Sequence, residues 1–187
     1  MKVTETDALP INATCVHTYN VMATLKIARP DFEKIVKNLA GCVYNESLHS
    51  VDKHIGDCLF HVFSTGSVSC IGSSREHLRK SAYELLASLR SIGIDAPGKP
   101  RIEVHSVTAE IRLGKKLRLW KALYLLDGAQ FSTKGPRLLS YSTDNPRATL
   151  QLFEDGTIRC IGARNEKEAK QALSQIAKIV VELSIAC

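Results

Sequence analysis

Phe63-Ser-Thr-Gly-Ser-Val-Ser-Cys-Ile-Gly72 is the stretch that decides the fold, because the chain writes it twice. The second copy, ninety residues on, is Phe153-Glu-Asp-Gly-Thr-Ile-Arg-Cys-Ile-Gly162. Phe, Gly, Cys, Ile and Gly recur at the same offsets, and Val68 answers Ile158. Each copy reads as strand, tight turn, strand. The turns are Ser64-Thr65-Gly66 and Glu154-Asp155-Gly156, where glycine supplies the positive φ that a short hairpin needs. A basic helical run follows each copy. One repeat at so long a period points to a duplicated half-domain, since a solenoid needs three or more short repeats.

Outward from the hairpins, the rest of the chain repeats as well. Residues 1–13 read as a short tail. Residues 15–27 are rich in β-formers and predict a strand. Arg29-Pro30-Asp31 opens a helix in which Phe32, Ile35, Val36 and Leu39 are spaced to face a sheet, with Gly41 as its stop. Residues 43–57 alternate weakly and predict one short strand and a turn at Gly56-Asp57. After the first hairpin, Ser73-Ser74 starts a helix to about Ser91 with Leu78, Ala82 or Tyr83, Leu85, Leu86 and Leu89 as its apolar stripe. Gly98-Lys-Pro100 is the linker. The pattern then restarts: a strand over 101–113 and a helix over 116–126 carrying Leu119, Trp120, Leu123 and Tyr124. A loop with a short strand follows over 131–147, then the second hairpin and a final helix over 165–184. That helix presents Ala169, Ala172, Leu173, Ile176, Ile179, Val180 and Leu183. The reading is one α+β domain of two repeats, 14–97 and 98–187, with one antiparallel sheet, helices on one face and the other face free.

Composition removes several classes of function. The 187 residues are 44% hydrophobic, which excludes a disordered chain. No apolar run reaches the roughly 18 residues of a membrane span, and the polar N-terminus is no secretory signal. Cys15, Cys42, Cys58, Cys70, Cys160 and Cys187 form no CxxC pair; Cys70 and Cys160 read as buried free thiols in a reducing compartment. The net charge of +6 is compatible with nucleic acid, headgroups or acidic proteins. The histidines lack ligand spacing, so no metal and no other cofactor is expected. Gly72 and Gly162 precede helices without the further Gly and Lys of a phosphate loop, and no catalytic set stands out, so the chain is not read as an enzyme.

Taken together, these stretches resemble the core of the TATA-box-binding protein family from about residue 14 to the end. Asn20-Val-Met-Ala-Thr-Leu25 is similar to the Asn-Val-Val-Ala-Thr opening of the family's first repeat. Phe63-Ser-Thr-Gly-Ser with Cys-Ile-Gly is similar to its Phe-Ser-Ser-Gly-Lys and Cys-Thr-Gly. Asn145-Pro-Arg-Ala-Thr-Leu-Gln-Leu-Phe153, Tyr141 and Gln130-Phe131-Ser132 also have counterparts. The resemblance implies a pseudo-twofold saddle: one curved sheet, helices on its convex face, and a concave face that lies in the DNA minor groove. There, phenylalanines wedge into base steps and kink the duplex.

Carried over by position, the resemblance names a DNA-contacting set. Phe63 and Phe153 match the inner wedge of each pair, while the outer positions fall near His49 and Pro136. Asn20 matches one of two base-contacting asparagines, and Ser106 stands at the other; Met22 and Thr108 lie two residues further along the same strands. Ile71 and Ile161 replace two threonines that touch base edges. His61, Ser69, Gln151 and Arg159 share strand parity with the phenylalanines and replace aliphatic groups. This combination resembles the TATA-box-binding-protein-related factors, which do not favour the TATA element, and Arg147-Ala-Thr-Leu-Gln151 is similar to that branch. It implies a nuclear initiation factor with weakened or altered TATA preference that recruits general transcription factors. Arg79, Lys80 and Arg90 correspond to a basic helix that meets transcription factor IIA. Ser132-Thr-Lys-Gly-Pro-Arg-Leu138 lacks the family's Glu-Pro-Glu-Leu segment for factor IIB and puts Lys134 and Arg137 there instead, which speaks against that contact. An uncovered apolar face also allows self-association. The alternative is a scaffold of this fold that holds a protein. A third, an accessory domain of a nucleic-acid enzyme, finds no room for a catalytic domain after the second repeat.

Overall fold

The computed structural model describes residues 17–132 and 135–186. They divide into two compact units, Tyr19–Ser106 and one containing the residues from Val107 onward. The division falls inside a strand whose first residues are held by the first unit: the His105 ring meets the Thr24 hydroxyl at 2.7 Å.

The first unit is built from β1 (His17–Lys26), α1 (Phe32–Asn38), β2 (Cys42–Asn45), β3 (Ser50–Ile55), β4 (Cys58–Phe63), β5 (Ser67–Gly72) and α2 (Arg75–Ser91). Its strands lie in the order β2-β3-β4-β5-β1, all antiparallel. The second runs β6 (Glu103–Arg112), α3 (Leu119–Leu125), β7 (Gln130–Phe131), β8 (Leu138–Asp144), β9 (Arg147–Phe153), β10 (Thr157–Ala163) and α4 (Glu166–Glu182). Its order is β7-β8-β9-β10-β6, again antiparallel. Strand–helix–four strands–helix is thus written twice, and the α+β class expected from the sequence holds.

Period-two alternation sets the faces. Cys58, Phe60 and Val62 are buried, as are Val68 and Cys70, while Leu59, His61, Phe63, Ser69 and Ile71 are not. The buried face lies under α2, whose stripe Leu78, Ala82, Leu85, Leu86 and Leu89 is enclosed. A Cβ at Gly72 would come within 2.9 Å of Leu78 Cδ2 and 2.7 Å of Cys58 Sγ, so glycine there is a packing requirement. In the second unit Leu150, Leu152, Ile158 and Cys160 are buried with Ala169, Leu173, Ile176 and Val180 of α4. Ser74 and Asn165 cap α2 and α4, accepting from the backbone N–H groups of His77 and Glu168.

Both hairpin turns are pinned in the same way. Gly66 has φ 83° and Gly156 φ 92°. A Cβ at either would collide with a backbone carbonyl, Ile27 for the first and Lys115 for the second. The segment after β1 bonds to Gly66 (Ile27 N–H to its carbonyl, 2.8 Å), and the segment after β6 bonds to Gly156 (Leu113 N–H, 3.1 Å).

Several expectations need correction. Residues 43–57 hold most of β2 and all of β3, joined by a tight turn, and the region 131–147 holds the end of β7, the whole seven-residue strand β8 and the first residue of β9. In α1 only Ile35 is buried and Val36 is 42% exposed; in α3 Leu119 and Ala122 are buried while Trp120 is 65% and Tyr124 91% exposed. The reason is length: each of these helices has seven residues, about two turns, so few positions can reach the sheet. The tail, Cys15, Lys134 and Cys187 lie outside the described residues.

Candidate nucleic-acid interface

On each unit, the sheet face turned away from the helices collects the residues singled out by sequence. In the first unit Asn20, Met22, His61, Phe63, Ser69 and Ile71 share it. Strand register aligns Met22 with Ile71 and Ile71 with Leu59, then Thr24 with Ser69, Ser69 with His61, and His61 with Asp52. In the second unit Thr108, Gln151, Phe153, Arg159 and Ile161 share the corresponding face. There one row runs Glu110, Arg159, Gln151, Ser140. Ser106 and Thr108 are both half-buried on alternate positions of β6. Phe63 and Phe153 are half-buried, each at the end of its strand beside the hairpin turn, opposite Ser50 and Leu138 respectively. At the outer positions, His49 sits in the β2–β3 turn with φ 49°, its ring 3.4 Å from the Tyr44 hydroxyl, and Pro136 is exposed.

The chemistry of the two rows differs. In the first, Asp52 accepts from Asn45 Nδ2 at 2.8 Å and from Ser50 Oγ at 2.7 Å, and its Oδ1 lies 2.7 Å from His61 Nδ1. Burial pushes the Asp52 carboxyl up, and the bonds from Asn45, His61 and Ser50 more than offset this, leaving it below the ordinary value. In the second, the Arg159 guanidinium reaches Glu110 at 3.4 Å and lies 5.2 Å above the Phe153 ring, a cation–π arrangement. Arg112 also approaches Glu110, at 3.7 Å. The Asn20 side-chain oxygen is enclosed and has no hydrogen-bond partner among the described atoms. A buried acceptor left unpaired is costly.

Sequence reasoning missed Asp52, Ser50 and Asn45, because β3 was merged into one short strand and its register was lost. Glu110 was visible as an alternating position, yet its partner Arg159 lies 49 residues away and only the register joins them. Of the partner-binding set, Arg79, Lys80 and Arg90 are exposed on α2, and Arg90 Nη1 already donates to the Pro97 carbonyl at 2.6 Å. Arg137 is exposed beside Trp120, and Lys134 is not described. Ser73, His77 and Asp57 do come together. However, both the hydroxyl and the carboxylate meet the same ring nitrogen of His77, so the ring cannot relay a proton between them. Ser73 and His77 hold the exposed Asp57 carboxyl down to about 2, with Ser73 the larger cause. Among the described residues, no His, Cys, Asp or Glu group could hold a metal ion, and no helix is long and apolar enough to cross a membrane.

The chain is thus an α+β protein of two repeats, each an antiparallel sheet with helices on one face and a mixed apolar and polar opposite face. A family model described as transcription factor TFIID (or TATA-binding protein, TBP) matches residues 101–183. The TATA-box-binding protein of Pyrobaculum islandicum is 26% identical over 174 residues, 89% of this chain and 86% of that one. That of Sulfolobus acidocaldarius is 29% identical over 123 residues, 65% of this chain and 62% of that one. The solved structure of Methanococcus jannaschii TBP superposes with a TM-score of 0.81 at 23% identity, over 90% of this chain and 99% of its own, which shows the fold. By this family model and these relatives, the chain is similar to the TATA-box-binding protein family. These relatives are archaeal, so they lend no support to a nuclear location.

Proposed function

We propose that the chain is a divergent member of the TATA-box-binding protein family, an initiation factor that binds duplex DNA in the minor groove through the open sheet face, with weakened or altered TATA preference. The two compact units are read as the two repeats. The observation that carries the reading is the placement of Phe63 and Phe153. Each is half-buried at the same point of its hairpin, on the face away from the helices, where a wedge must stand. Met22, 44% exposed, together with Ile71 and Ile161 supplies apolar cover for sugar and base edges. Asn20, half-buried on the same face as Met22, supplies a polar side chain there.

The altered preference follows from the rows between the phenylalanines. In the minor groove, A·T pairs present only acceptors and G·C adds the guanine amino donor. His61, Ser69, Gln151 and Arg159 place polar groups where an apolar face would exclude that amino group. Recruitment of transcription factor IIA through Arg79, Lys80 and Arg90 belongs to this reading, and a IIB contact of the family type does not. Self-association through the open face is expected of the free protein, and sedimentation would detect it. In a eukaryotic cell the site of action is the nucleus.

A second reading is favoured by one observation: Asp52 and Glu110 put two carboxylates on the same faces, which a phosphate backbone would repel. It makes the face a holder of a protein segment. Fluorescence anisotropy with TATA and G·C-substituted duplexes at two salt concentrations separates the two. Salt-sensitive binding, weakened about tenfold or more in Phe63→Ala/Phe153→Ala with the salt slope unchanged, supports groove insertion. No binding at low salt refutes it.

A further inference from the structure

A second surface, on α3 and the segments beside it, has a composition unlike the sheet face. A groove of about 540 Å3 is lined by Lys116, Arg118, Trp120, Lys121, Arg137 and Glu154, four cations against one carboxylate. Trp120 is 65% exposed, and Tyr124, one helical turn on, is 91% exposed. The indole is held in place: it meets the Phe131 ring edge-on at 4.6 Å, and the Arg137 guanidinium lies 5.7 Å above it. Two of the cations are also positioned, since Arg118 and Lys121 donate to the Ser184 carbonyl at 2.8 and 3.2 Å. The groove is therefore preorganised, which lowers the cost of binding. Trp, Tyr and Arg clustered around a recess is also the composition that dominates binding energy at protein interfaces.

We propose that this groove docks an acidic protein segment that carries a bulky apolar side chain. Its carboxylates meet Lys116, Arg118, Lys121 and Arg137, and its apolar group packs on Trp120. The charge balance selects an anionic partner, and Glu154 selects a peptide over a nucleic acid. A peptide brings backbone N–H donors for that carboxylate, whereas a phosphate backbone offers only acceptors and is repelled by it. The proposal stands apart from the DNA reading of the sheet face.

Trp120 is the one tryptophan of the chain, so intrinsic fluorescence reports this groove directly. The whole chain is titrated with the peptide Asp-Leu-Asp-Glu-Leu-Glu-Asp-Leu-Glu-Asp-Leu-Glu, and the same peptide carrying a fluorophore is followed by anisotropy. The expected result is a saturable blue shift that weakens with added salt and weakens about tenfold in Lys116→Glu/Lys121→Glu, whose folding is checked by circular dichroism. A second variant, Arg137→Ala, removes one cation without reversing any charge and is expected to lose about threefold or more, which guards against misfolding of the first. The absence of a saturable shift overturns the proposal, as does an equal response to a version with Ser for every Leu. A short duplex that displaces the peptide would assign the groove to nucleic acid and overturn it equally.

Discussion

Asp52→Asn separates the two readings of the sheet face, because it moves stability and DNA affinity in opposite directions. Three donors converge on the wild-type carboxylate, from Asn45, Ser50 and His61 at 2.7 to 2.8 Å. An amide keeps one acceptor oxygen and turns an NH2 group towards the remaining donors. Losing one bond to a charged acceptor costs about 2 kcal/mol, within a range of roughly 1 to 3. Linkage fixes the pH dependence. The folded carboxyl lies below its ordinary value, so its stabilisation is fully present above the unfolded pKa of about 4 and is lost as pH falls through the folded value. The gap between wild type and variant in urea unfolding should thus be full at pH 7 and fade as pH falls below the unfolded value of about 4. For binding, the variant removes one negative charge from the face. A phosphate about 10 Å away in water repels that charge by about 0.4 kcal/mol, so two such phosphates give roughly fourfold tighter binding at low salt. Anisotropy against a duplex at 50 and 200 mM salt measures it. A destabilised variant whose DNA affinity is unchanged or lower would refute DNA docking on this face. A stability gap that ignores pH would refute the carboxylate network.

Gly156→Ala should lose about 3 kcal/mol or more in urea unfolding, because its Cβ would strike the Lys115 carbonyl. Gly162→Ala, at φ 84° with open space around it, should lose only about 1 to 2; equal losses would contradict the pinned turn. Burial pushes the Cys70 thiol up to about 12 and that of Cys160 up to about 11, so peptide mapping after mild alkylation at pH 8 should find both unmodified until urea is added. Ser74→Ala removes the acceptor for the His77 N–H and should cost about 1 kcal/mol with the denaturant slope unchanged.

What could be read from the sequence was what local rules control. The hairpins and the long helices α2 and α4 were legible, because turn glycines and apolar stripes are short-range signals. Val36, Trp120 and Tyr124 were misplaced, because spacing alone assigns them to an apolar face while a two-turn helix has room to bury only one or two side chains. The missed β3 had a larger cost. It carries Asp52, and without its register with β4 nothing joins that carboxylate to His61, nine residues away. Glu110 with Arg159 is the same failure across 49 residues: charge pairs across a sheet follow from register, and register follows from the whole fold.

The duplication supplies a comparison within one chain. Val68 and Ile158, like Cys70 and Cys160, match because both copies bury them completely. Gly66 and Gly156 match because each faces a backbone carbonyl at positive φ. Gly72 and Gly162 match for different reasons, the first by contact with Leu78 and the second by its φ of 84°. Packing and backbone geometry thus account for every shared position except Phe63 with Phe153 and Ile71 with Ile161. Those four stand half-buried on the uncovered face. Their neighbours on that face have diverged, Ser69 against Arg159 and His61 against Gln151, so the face tolerates change where nothing holds it. The DNA reading proposed above accounts for this pattern: each copy keeps the same apolar points while its polar surroundings differ. A single protein partner has no reason to present one apolar feature twice. A duplex does, since its antiparallel strands offer the same sugar and base edges to each half of a duplicated binder. The four matched residues are the strongest argument for the proposed DNA reading over the protein-holding one.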